Sequence, residues 1–108
     1  MALSKDDIIE IANGFLESIR QKHEVREAYL FGSWAAGTAK DYSDVDLAIV
    51  LGARTNFESF PFNEDFEIFH EAQKYNSRLE VISFIENEFD ENKSPLVKKI
   101  KKEGIRLL

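Results

Sequence analysis

Residues 44–51, DVDLAIVL, limit what this chain can fold into more than any other stretch. They read as a strand. Alternation puts Val45, Leu47, Ile49 and Leu51 on one face and Asp44, Asp46, Ala48 and Val50 on the other. The two aspartates therefore point to the same side, with Cα atoms about 6.5 Å apart, twice the rise of a strand. Carboxylates so placed on a hydrophobic strand repel each other unless a cation lies between them. Hard oxygen ligands of this kind suit Mg²⁺, completed by waters and substrate phosphates. One ion can then lower the pKa of an attacking hydroxyl while another steadies a triphosphate and its leaving group. That is the logic of phosphoryl transfer, built on positioning and charge neutralisation.

The flanking sequence supplies the other parts such chemistry needs. Residues 26–31, rich in aliphatic and aromatic side chains, read as a strand that ends in Gly32-Ser33. Residues 32–37 are small and read as a tight turn entering a short helix. Backbone N–H groups at such a turn, with a serine hydroxyl, can hold phosphate oxygens. Glycine lets a phosphate approach where a Cβ would obstruct it. Further on, Glu80 lies in a third strand, residues 78–85, on a face shared with Ile82 and Phe84. Read as an acid on the inner side of a core strand, it needs a partner. If this strand lies beside the second, Glu80 reaches the aspartates; otherwise it pairs with Arg78 or Lys74.

The remaining elements follow from caps and periodicity. Ser4 caps a helix running to about residue 22, with Asp6 and Asp7 in its first turn. Ile8, Ile11, Ala12, Phe15, Leu16 and Ile19 form its apolar stripe. Residues 52–63 read as a loop carrying Phe57, Phe60 and Phe62, which folds back on the core or forms an apolar patch for another chain. Asn63 is a possible cap for the next helix, with Phe66, Phe69, Ala72 and Gln73 on its inner side. Ser94-Pro95 opens a last helix that stops at Gly104, and residues 105–108 add a short strand.

Bulk properties exclude several classes. The 108 residues suit one domain, 1–108, and 44% hydrophobic content supports a real core. The absence of cysteine removes disulfides, thiolate catalysis and cysteine-based zinc sites. No apolar run approaches the roughly 20 residues of a membrane span, and the N-terminus lacks the order of a signal peptide. A cytoplasmic location is expected. The formal net charge of -6 argues against direct nucleic-acid binding, so any contact with nucleotide must be local.

The run YLFGSWAAGTAKDYSDVDLAIV resembles the signature of the DNA polymerase β-type nucleotidyltransferase superfamily, and in particular its minimal nucleotidyltransferases. Their motif is G-S, ten residues, then D-x-D. Gly32-Ser33 and Asp44-Val45-Asp46 match it, and the similarity continues through Glu80 to the closing KIKKEGIRLL. The resemblance implies an α/β (α+β) fold: a small mixed central sheet flanked by helices, with the site at one sheet end. It implies that Gly32 and Ser33 bind the nucleotide triphosphate. Asp44, Asp46 and Glu80 would be both catalytic and metal-binding, holding Mg²⁺ (two ions) with ATP as substrate, and Glu80 would help deprotonate the acceptor hydroxyl. The third acid of the family is most often Asp; here it is Glu.

The chain carries a catalytic core without an obvious acceptor-binding domain, so another chain is expected to supply it. In the family it resembles, that chain is often a small helical HEPN protein. The transferase, as antitoxin, adds AMP to a tyrosine of the HEPN ribonuclease toxin. Two alternatives stand beside this: a binding module that neutralises its partner by occlusion, and a catalytic subunit acting on a small molecule or RNA. Other residues read as structural. Ser43 caps the turn before the second strand, and His23 and His70 are surface residues. Trp34 lines the nucleotide pocket or anchors the motif helix. Lys98, Lys99, Lys101, Lys102 and Arg106 read as the wet face of a C-terminal helix whose Leu96, Val97 and Ile100 face the core, or else as an electrostatic surface for RNA or an acidic partner.

Overall fold

The computed structural model describes residues 3–52 and 64–108. The aromatic loop with Phe57, Phe60 and Phe62, and the Asn63 cap, lie outside the described residues. The element order is α1 (Lys5–Ile19), β1 (Val25–Phe31), α2 (Ser33–Ala36), β2 (Val45–Leu51), α3 (Glu64–Tyr75), β3 (Leu79–Ile85), a 3-10 turn (Glu86–Glu88), α4 (Pro95–Glu103) and β4 (Ile105–Arg106). The strands form one mixed sheet in the order β3-β2-β1-β4. β1 pairs antiparallel with β2 and β4, and β2 pairs parallel with β3.

Helix caps account for the helix starts. Ser4 accepts from the Asp7 N–H at 3.1 Å while Asp7 accepts from the Ser4 N–H at 2.9 Å, a reciprocal cap that satisfies two donors. The helix ends at Ile19 rather than near residue 22, because the chain turns there to reach β1, with the His23 N–H donating to the Ile19 carbonyl at 2.9 Å. Ser94 caps α4 through the Val97 N–H, with Pro95 in the first turn and Gly104 at the end.

β2 is the middle of the molecule because both of its faces are apolar beyond Asp46. Val45, Leu47, Ile49 and Leu51 pack with α1, the short α2 and Ile68 and Ala72 of α3 on one side of the sheet. Ala48 and Val50 pack with Tyr29, Phe89, Val97 and Ile100 on the other, under α4. Tyr29 donates to Glu27 at 2.6 Å; burial and then that carboxylate push its hydroxyl up to about 12, so it stays protonated. Among the described residues, no helix is long and apolar enough to cross a membrane.

Two assignments of facing are corrected. Phe66 and Phe69 do not lie on the inner side of α3: they are exposed, and the buried stripe is Ile68 and Ala72. Four-residue spacing stacks that aliphatic pair on one face, and the phenylalanines fall outside it. Glu80 likewise is not core-facing. α4 covers the second face of the sheet only as far as Phe84, so Glu80 and Ile82 on the edge strand stay exposed.

Candidate active site

The segment between β1 and β2 is built so that its polar ends meet. β1 ends at Phe31, opposite Asp46. Gly32 then takes a positive φ of 76° to turn the chain into α2, and Gly37 ends that helix at φ 80°. Trp34 is buried and its indole N–H donates to the Ser43 carbonyl at 3.2 Å, so it anchors the motif helix to the approach to β2. Ser43 holds the turn itself, accepting from the Lys40 N–H at 2.8 Å. Arg78, at the head of β3, donates to the Asp41 carbonyl, and the Val45 N–H donates to the Arg78 carbonyl at 2.8 Å. Three segments distant in sequence are thus tied together around Asp44.

Within that frame the three acids converge. β2 and β3 run parallel with Asp46 directly beside Glu80 in register. Burial, and then the nearby Asp44 carboxylate, push the Asp46 carboxyl above its usual value of 3.8. A hydrogen bond to Asp44 raises the Glu80 carboxyl above 4.5, helped by partial desolvation and the charges of Asp44 and Asp46. Among the described residues no ion pair joins these acids to a cation, Arg78 and Lys74 included. Two carboxyls that share a hydrogen bond must share a proton, and a hard cation takes the place of that proton when both ionise. Gly32 completes the cradle: a Cβ there would collide with Oδ2 of Asp46. Asp44, Asp46 and Glu80 offer hard oxygen donors, the kind that Mg²⁺ takes.

A cleft of about 410 Å³ opens on the α4 side of this group, lined by Phe31, Gly32, Ser33, Thr38, Leu96 and Lys99 among others. The acids do not line it; Gly32 is where the two regions meet. The apolar pattern of α4 predicts Leu96 in the core and Lys99 on a wet helix face. Leu96 is instead 38% exposed, and both side chains border the cleft beside Ser33. The signal available was their three-residue spacing, which places them on one side of α4.

The family model described as "Polymerase beta, Nucleotidyltransferase" matches residues 15–108. The chain belongs to this nucleotidyltransferase family. No curated protein matches it. Its fold is similar to that of a candidate nucleotidyltransferase from Sulfolobus solfataricus, with a TM-score of 0.63 at 18% identity over 94% of this chain and 80% of that one. It is similar to a toxin–antitoxin crystallised with AMP-PNP, with a TM-score of 0.63 at 17% identity over 89% and 71%. A mutant form of the toxin–antitoxin MntA-HpeT gives a TM-score of 0.56 at 16% identity over 98% and 73%. These likenesses bear on the fold. The expected mixed sheet flanked by helices is the nucleotidyltransferase fold found here.

His23 is corrected as well. It is not a surface residue: its side chain is only 7% exposed and donor or acceptor contacts tie it to α3. His70 is exposed, edge-on to Phe66 at 4.4 Å between ring centres.

Proposed function

We propose that this nucleotidyltransferase moves AMP from Mg²⁺-bound ATP to a hydroxyl of a partner protein, a tyrosine of a HEPN ribonuclease toxin, and acts as the antitoxin. The observation that carries the reading is the convergence of Asp44, Asp46 and Glu80 beside the Gly32-Ser33 turn, three acids that no cation among the described residues pairs with. Two structural neighbours that are toxin–antitoxins, one of them with AMP-PNP, favour both the nucleotide and the kind of partner.

In this reading Gly32 and Ser33 grip the triphosphate from the cleft side, and Lys99 adds a positive charge there. Asp44, Asp46 and Glu80 hold the metal. Bound Mg²⁺ supplies charge neutralisation for the phosphates and acidifies the attacking hydroxyl. Glu80, exposed on the edge strand, faces the side from which an acceptor arrives and takes the hydroxyl proton. The acceptor oxygen bonds to the α-phosphorus and pyrophosphate leaves.

The test is co-purification with a small helical HEPN protein encoded beside this chain, if the neighbouring gene encodes one, followed by intact-mass measurement with and without Mg²⁺–ATP. The partner should gain mass in steps of one AMP, and Asp46→Asn should abolish the gain. A partner that stays unmodified yet inactive in the complex would point to occlusion instead and overturn the transferase reading.

A further inference from the structure

A second cluster of ligating side chains lies at the opposite end of the sheet. His23 sits two residues before β1, and Val25 pairs with Leu51, the last residue of β2. The three acids gather at the other ends of these strands. Six strand steps separate the two ends, roughly 20 Å.

His23 bridges the α1–β1 turn to the first two turns of α3. Its Nδ1 lies 2.9 Å from Oε2 of Glu64. An ionised carboxylate only accepts, so the ring donates from Nδ1, and in the neutral form that tautomer leaves the lone pair on Nε2. That Nε2 is buried and has no hydrogen-bond partner. It approaches Glu71, and one ligand atom each from His23, Glu67 and Glu71 lies within 4.8 Å of the others. The spacing of 64, 67 and 71 puts all three glutamates on one side of α3. Glu71 offers Oε2 to the histidine at 3.9 Å, while its Oε1 pairs at 3.1 Å with the exposed Lys22. In that neutral form a lone pair beside carboxylate oxygens is repulsive, and a cation among the three atoms makes the arrangement attractive.

We propose that His23, Glu67 and Glu71 form a binding site for a divalent transition ion of the zinc class, separate from the nucleotide end. Imidazole nitrogen with two carboxylates suits Zn²⁺ and its neighbours, whereas Mg²⁺ and Ca²⁺ prefer oxygen alone. Glu64 has the place of the outer carboxylate that fixes the tautomer and orientation of a ligating histidine. The ion would pin the α1–β1 turn to the start of α3. A protonated His23 paired with Glu64 and Glu71 is the competing arrangement, and it needs no metal.

The experiment uses the full chain with Asp44→Asn and Asp46→Asn, so that the nucleotide-end acids do not answer. Zn²⁺ is titrated by calorimetry, Co²⁺ by its visible absorption, and thermal unfolding is followed with and without Zn²⁺. One ion per chain should bind, Tm should rise, and millimolar Mg²⁺ should not compete. Glu67→Gln, on an exposed side chain that folding does not need, should weaken Zn²⁺ at least tenfold. Glu64→Gln should weaken it about 10–100-fold, the usual effect of losing an outer partner. Absence of binding in this background, or Zn²⁺ affinity unchanged in both Glu67→Gln and Glu71→Gln, would overturn the proposal.

Discussion

Gly32 lies against the Asp46 carboxylate so closely that no side chain fits between them. The glycine also holds a positive φ of 76°, a region that costs a residue with a Cβ about 1–3 kcal/mol. Gly32→Ala should therefore lose at least that much stability in urea unfolding and should displace Asp46. Nucleotide transfer should fall more than stability does. An alanine variant with native activity would show that the turn has slack the geometry denies.

Asp44→Asn and Asp46→Asn should each lower Mg²⁺–ATP affinity tenfold or more, about 1.4 kcal/mol, read by calorimetry. Without metal the same variants should be more stable than the parent at neutral pH. The folded values of Asp46 and Glu80 are raised, so the folded state holds these protons more tightly than the unfolded chain. The associated stability is complete below the ordinary values of 3.8 and 4.5 and is lost as pH rises through the raised folded values. Unfolding curves across that range, in chelator, should show metal-free stability declining for the parent and declining less for the variants. The gain should shrink in high salt, because the group is part-exposed.

Glu80→Gln keeps shape and hydrogen bonding and removes the charge. The side chain is exposed, so folding should be unaffected and ATP should still bind. Transfer should slow about 10²–10⁴-fold, as when a positioned acid or base is lost. Glu80→Asp restores the family's usual acid and should recover most of the rate. Labelling of the partner from radiolabelled ATP measures both, and a Glu80→Gln protein at full rate would remove Glu80 from the chemistry.

Lys99→Ala should leave thermal stability within about 0.5 kcal/mol, as for most surface substitutions. It should raise the KM for ATP several-fold with less effect on kcat, because the lysine borders the cleft at Ser33 rather than the acids. The loss should be largest at low ionic strength. Lys102→Ala, on the same helix outside that lining, is the control.

Local chemistry was readable and long-range pairing was not. The ends of α4 follow from Ser94, Pro95 and Gly104, and the two apolar faces of β2 from strict alternation. The motif spacing brought Gly32 and Asp46 together because both lie within one antiparallel strand pair. By contrast, Glu80 beside Asp46 depends on which strand lies next to β2, which no periodicity encodes. His23 meets Glu64 across 41 residues, so its neighbours in sequence said nothing of its burial. Phe66 and Phe69 misled because hydrophobicity outranked spacing: Ile68 with Ala72 is the pair that stacks.

The sheet order also has a consequence for how the molecule comes into being. Gly32, Ser33, Asp44 and Asp46 all belong to one antiparallel pair closed by a short connection, whereas Glu80 arrives only after a crossover through α3. Closing the longer loop costs more chain entropy, and non-local pairing is the slower event in folding. The Gly32-Ser33 turn and two acids can therefore form before the third acid docks. Among the described residues β3 is the edge strand, hydrogen-bonded to β2 alone, so its amides should exchange with solvent sooner than those of β2. If the proposed mechanism holds, each opening of that edge would leave a chain that keeps Gly32, Ser33 and the two aspartates in place but has lost Glu80 from beside them.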